Sequence, residues 1–206
     1  MHRRTGEPTE QGAEVIVIWR NTAQGYGLIQ IVVHWSMVVL VAVLLPLGLW
    51  MTGLDYYDPW YNRGPDLHRS IGVMLGLVLL LRWFARLMQV SPAPIAHHEW
   101  EILAARATHG LLYLLPLLLV VSGYLISTAD GRPVDVFGWF EIPATLHGIE
   151  HQEDIAGDVH FALAMVLLGV IAVHTAAALY HHLIVKDDTL RRMLKPLSTH
   201  FAKEDE

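Results

Sequence analysis

Four long apolar stretches separated by polar ones set the pattern of this chain. They run over about 28–53, 66–88, 102–127 and 155–183. Each is long enough for an α-helix, at about 1.5 Å per residue, to cross a hydrocarbon core about 30 Å thick. In lipid only helices and closed barrels satisfy their own backbone groups, and the continuous apolarity of these runs lacks the alternation of a barrel strand. The pattern predicts an all-α, integral membrane four-helix bundle over 27–186, with polar tails at 1–26 and 187–206. VIVIW at 15–19 is too short for a span or for the core of a signal peptide, so the first segment reads as a tail with no cleavable signal.

The punctuation between the stretches agrees with this division. Pro46, in the second half of the first span, predicts a kink, and Pro65 followed by Asp66 reads as a helix start. Tyrosines and Trp60 in DYYDPWYNRGPD suit the aromatic belt of a membrane interface. SPAPIAHHEWE at 91–101 is a connector too polar for lipid, and 129–154 is a long acidic loop. Ser122 and Gly123 are small residues that let helices approach closely.

Composition strengthens the membrane reading: 53% of the 206 residues are hydrophobic, only 17% are charged, and the mean hydropathy is +0.38. The tail at 1–26, the segment 82–106 and residues 186–206 hold eleven of the fourteen Lys and Arg residues. By the positive-inside rule both termini are expected on the cytoplasmic side of a multi-pass membrane protein. The net charge of −6 says little in a membrane protein, where its distribution matters more. Nucleic acid is not expected among the partners, and the lipid bilayer is. With no cysteine, disulfides, thiolate metal sites, iron–sulfur clusters and covalently attached c-type haem are excluded.

Thirteen histidines remain as the ligand inventory. In the fourth stretch the fourteen steps from His160 to His174 return, at about 100° per residue, to within roughly 40° of the starting direction, so both imidazoles share one side of a helix about 21 Å apart. His181 lies on nearly the same stripe, where the helix leaves the hydrocarbon. The alternation of four spans puts His34 and His174 near the cytoplasmic face and His68 and His160 near the outer face. A histidine inside a span is costly without a partner. Two at one depth on facing helices suit bis-imidazole ligation of a haem iron, which gives His34 with His174 and His68 with His160. Arg82 and Arg86, one turn apart, are candidate contacts for haem propionates or snorkelling anchors. His109, at the cytoplasmic start of the third span, has no partner at its depth and is a candidate for a quinone pocket or a polar interfacial residue. His97, His98, His147, His151 and His200 fall in loops and tails and are expected to be solvated.

IVVHW at 31–35, DLHRSIG at 66–72, THGLLYLLP at 108–116 and VHTAAALYHHLIVKDDTLRRML at 173–194 together resemble the bacterial cytochrome b561 family. The resemblance covers all four spans. It implies a multi-pass protein of the bacterial inner membrane with two non-covalent b haems on His34, His68, His160 and His174, the set already obtained from depth. A well-understood type in that family is similar to a superoxide oxidase, which passes electrons from periplasmic superoxide to ubiquinone near the cytoplasmic face. By that resemblance His181 contacts the quinone; otherwise it is a helix-end histidine interacting with the dipole.

The expected function is therefore transmembrane electron transfer from a periplasmic donor to the membrane quinone pool. Two other readings remain: an electron-carrier or anchor subunit serving a periplasmic redox partner, and a His-lined metal transporter. The outer segments carry ten carboxylates against Arg63, Arg69 and Arg132, a field that disfavours an anionic donor.

Overall fold

Each apolar stretch forms one helix in the computed structural model, which describes residues 14–96, 98–196 and 198–201. They are α1 (Leu28–Met51), α2 (Arg63–Leu87), α3 (Glu99–Thr128) and α4 (Gln152–Tyr180), and all four are long and apolar enough to cross a membrane. His97 and the side chain of His200 lie outside the described residues.

Three helices begin three residues before the expected boundary, and their first turns explain why. α2 starts at Arg63, so Pro65 sits in the first turn, where a missing N–H breaks no helical hydrogen bond. At the start of α3 the backbone N–H of His98 donates to Glu101 Oε2 at 3.4 Å, and Glu99 and Glu101 sit at the positive end of the helix dipole. α4 begins after His151, whose φ of 56° is left-handed, and carries Glu153 and Asp154 in its first turn. At its other end it continues through one π-helical turn, His181–Val185, and stops at Lys186, also left-handed with φ 61°.

The helices pack as two hairpins. α1 lies on α2 around Met37, Leu44, Leu75 and Leu79, and α3 lies on α4 around Leu115, Leu119 and Leu167. A lesser α2–α3 contact joins the hairpins, and no comparable packing joins α1 to α4 among the described residues. Only 6% of the most apolar window of α4 is buried, against 22–28% for the other helices, so the helix carrying two of the histidines has the most open surface. Outward-facing side chains such as Val39, Leu80 and Val173 suit a lipid surround, where apolar exposure costs nothing.

Both ends of the bundle are closed by polar structure that the hydropathy pattern does not reveal. At the end carrying the termini, β1 (Glu14–Val17) pairs antiparallel with β4 (Ser198–Phe201), Glu14 opposite Phe201, so segments expected as separate tails form a ribbon. Asn21 N–H donates to Gln89 Oε1 (2.9 Å), Arg192 to the Ala93 carbonyl (2.9 Å) and the Trp35 indole to the Met193 carbonyl (2.7 Å), which ties both tails to the α2–α3 connector and to α1. A short helix, α5 (Arg191–Leu194), belongs to this layer.

At the opposite end the acidic loop folds into a hairpin of β2 (Val134–Val136) and β3 (Phe140–Ile142), turned by positive φ at Phe137 and Gly138. Val136 is fully buried, the Phe137 N–H donates to Ser70 Oγ (3.1 Å), and Gln152 Nε2 donates to the carbonyls of Leu125 (2.9 Å) and Leu146 (3.1 Å). The loop is thus an ordered cap fastened to α2, α3 and α4.

Candidate paired-histidine sites

Below the cap, His68 of α2 faces His160 of α4 with ring centroids 6.1 Å apart and planes at 70°. An imidazole–metal bond is about 2 Å and a ring nitrogen lies about 1 Å from its centroid, so two imidazoles on opposite sides of one metal stand about 6 Å apart. The spacing fits a bis-imidazole ligand pair. The surroundings hold each ring in place. Ser122 gives its proton to the Leu119 carbonyl at 3.1 Å and so accepts from His160 Nδ1 at 3.0 Å, which leaves Nε2 as the lone-pair nitrogen. A Cβ on Gly123 would come within 3.3 Å of His160 Cε1, and one on Gly48 within 3.1 Å of His68 Cε1. Both glycines are therefore ring cradles. His68 Nδ1 is buried without a hydrogen-bond partner.

The cytoplasm-assigned end is more crowded. Arg82, His174 and His109 all lie within electrostatic reach of His34, so α1, α2, α3 and α4 each contribute to one cluster. His109, which has no evident partner in the sequence, stands edge-on to His174 with centroids 5.5 Å apart. Arg82 and Arg86 both lie over the ring of Tyr113, at 5.7 and 5.6 Å. Arg82 Nη1 and Tyr113 Oη are buried with no hydrogen-bond partner among the described residues. An unpaired buried guanidinium nitrogen is costly unless an anion meets it, and a haem carboxylate is one anion that suits this position. Arg86, one turn on, instead lines a cleft between α2 and α3.

His181 is no simple helix-end residue. Its Nδ1 lies 2.6 Å from Asp187 Oδ2, both side chains are largely buried, and the backbone between them reverses through Lys186 so that the Asp187 N–H reaches the His181 carbonyl at 3.2 Å. Burial alone would raise the Asp187 carboxyl, but hydrogen bonds from Thr189 and His181 outweigh it and hold the group below the ordinary carboxylate range.

Ser122, Gly48, Gly123, Tyr113 and Asp187 are contributors that the sequence analysis does not place. Ser122 and Gly123 appear there only as small residues, and only Asp187, six positions after His181 at the end of the same run, leaves a local trace.

Comparison with known proteins gives one answer over most of the chain. The prokaryotic cytochrome b561 family matches residues 25–196. The chain is 46% identical to cytochrome b561 homolog 2 of Escherichia coli K12 over 183 residues, covering 88% of this chain and 97% of that protein. It is 29% identical to a probable superoxide oxidase, CybB, of Yersinia pestis, covering 82% and 95%, and 28% identical to cytochrome b561 homolog 1 of E. coli K12, covering 80% and 94%. With four membrane-length helices, paired intramembrane histidines and this similarity across all the spans, the chain belongs to the prokaryotic cytochrome b561 family of membrane electron-transfer proteins, whose cofactor is b-type haem.

Proposed function

We propose that this protein carries electrons across the bacterial inner membrane between two b haems, from a donor on the capped, periplasmic side to ubiquinone at the cytoplasmic side where both termini lie. The observation that carries the reading is the 6.1 Å separation of His68 and His160, which suits one iron between them. His34 and His174 are assigned as the second pair, with Arg82 placed to meet a propionate. Haem supplies the one-electron chemistry; the protein supplies ligation, orientation and electrostatics.

The side chains divide the remaining work. Ser122 fixes the tautomer of His160, and the glycine cradles set the angle of each ring. Loss of such an outer hydrogen bond typically lowers metal-site affinity or activity about 10- to 100-fold. Ser122→Ala is therefore expected to weaken haem retention at the outer pair by that factor, read by haem titration of apoprotein, with the inner site unchanged.

At the cytoplasmic end Asp187 accepts the Nδ1 proton of His181 and so orients Nε2 toward an acceptor molecule. Reduction of a quinone takes two electrons and two protons, and His181 protonated on both nitrogens would keep Nδ1–H on Asp187 while presenting Nε2–H to a quinone oxygen. His181→Ala is expected to leave both haems bound but slow their reoxidation by ubiquinone, and Asp187→Asn to do the same less severely. Stopped-flow reoxidation beside a haem spectrum checks this; normal reoxidation in both variants would leave His181 a structural helix end.

A second reading is favoured by the outer surface, where Tyr57 (90% exposed), Trp139 (75%) and Phe140 stand among carboxylates. This surface suits a basic protein donor, making the chain a membrane subunit that reduces quinone only with its partner. Purified protein that reduces quinone from a small donor alone supports the first reading, and a requirement for an added protein supports the second.

A further inference from the structure

We infer that the cleft between α2 and α3 at the cytoplasm-assigned end is a binding site for one anionic phospholipid, its phosphate among Arg86, Arg106, His109 and Tyr113 and one acyl chain along α2. The cleft has a volume of about 230 Å³ and is lined by Trp83, Arg86, Arg106, His109, Gly110 and Tyr113. Neither Arg86 nor Arg106 has a carboxylate within salt-bridge distance among the described residues. The Arg86 guanidinium lies over Tyr113, whose buried hydroxyl has no partner, so a hydrogen-bond donor is left waiting beside two positive charges. A Cβ on Gly110 would meet nothing within 4 Å, which leaves the mouth of the cleft open.

The second observation is what adjoins it. Trp83 also belongs to an open apolar face of α2 with Leu80, Leu81, Phe84 and Leu87, each more than half exposed. From Leu87 to Leu80 this face runs about 10 Å from the polar end toward the membrane interior. A cationic cleft and an apolar face sharing one indole match a headgroup with its attached chain. A free phosphate has no use for the apolar face, and a neutral quinone has none for two arginines that lack a carboxylate partner among the described residues. Basic pockets between helices on the cytoplasmic side are a recurrent form of lipid recognition. The site is separate from His181, so it stands whether or not that residue contacts quinone.

The test uses haem-loaded, full-length protein in detergent, titrated with phosphatidylglycerol or phosphatidylcholine and read by native mass spectrometry. One phosphatidylglycerol is expected to bind in preference to phosphatidylcholine, and Arg106→Gln to weaken it about fivefold, the effect of one basic residue facing an anionic headgroup. The haem spectrum of that variant should not change. Trp83→Ala should weaken the lipid without altering any competition by inorganic phosphate. Equal binding of the two lipids, or binding unaffected by Arg106→Gln, would overturn the proposal. So would loss of haem in Arg106→Gln, which would assign the cleft to a propionate. Complete displacement by inorganic phosphate would assign it to the free anion, and displacement by ubiquinone to the electron acceptor.

Discussion

Replacing His174 with alanine is expected to remove about half of the haem and leave a folded, coloured protein, because a bis-imidazole site that loses one of two axial ligands loses its hold while the other pair is untouched. The complementary His160→Ala should spare the inner site and abolish the outer one. Geometry makes the two losses separable. His68 and His160 meet through α2 and α4 beneath the outer cap, whereas His34 and His174 sit with Arg82 and His109 at the other end. A pyridine haemochrome count per folded chain gives the stoichiometry, and redox titration of each variant should resolve one potential where the parent shows two. Equal loss of both haems in each variant, with normal helix content, would refute the pairing. Any inner haem that His174→Ala retains is expected to be held by His109, whose ring lies 5.5 Å from that of His174. His174→Ala with His109→Ala should then lose haem that His174→Ala alone retains.

Superoxide is expected to reduce this protein slowly, at a rate that rises with added salt. Ten carboxylates face three arginines on the segments assigned to the periplasmic side, leaving seven net negative charges with histidines neutral. The structure makes the balance less favourable to an anion than the count implies. Arg69 is paired with Asp66, and Arg132 binds Asp130 at 2.5 Å, leaving Arg63 as the outer arginine with no carboxylate partner among the described residues. These exposed pairs contribute little to stability but cancel the local positive field. Surface fields of one sign change association rates by roughly 10- to 1000-fold and are screened within about 10 Å at 0.1 M salt. A basic protein donor should show the opposite trend, faster at low salt. Stopped-flow haem reduction by superoxide across ionic strengths measures the sign directly; a fast rate that falls with salt would require a positive path through the cap and would restore superoxide as the natural donor.

Hydropathy made the helices legible because lipid demands long, uniformly apolar runs. The boundaries slipped where polar first turns, such as Arg63–Asp66 and Glu99–Glu101, look like loop but serve as helix starts. The facing of His160 and His174 was readable from helical period, since one helix carries both. What holds each ring was not. Whether Gly48 lies against His68, or Ser122 against His160, depends on the register between helices, and hydropathy carries no register. The ribbon of β1 and β4 was hidden for a related reason: its strands lie near opposite ends of the chain, and four-residue strands leave little local pattern. The acidic loop read as solvated because its charges are on the outer side of the hairpin, while Val134 and Val136 face the helices.

The two-hairpin packing bears on how such a protein is made. With the ligands assigned as above, α1 and α2 bring His34 and His68, and α4 of the second hairpin brings His160 and His174. Synthesis delivers the hairpins to the membrane in succession, and the first to arrive holds half of each ligand set and can close neither. Cofactor capture therefore reports that insertion is complete.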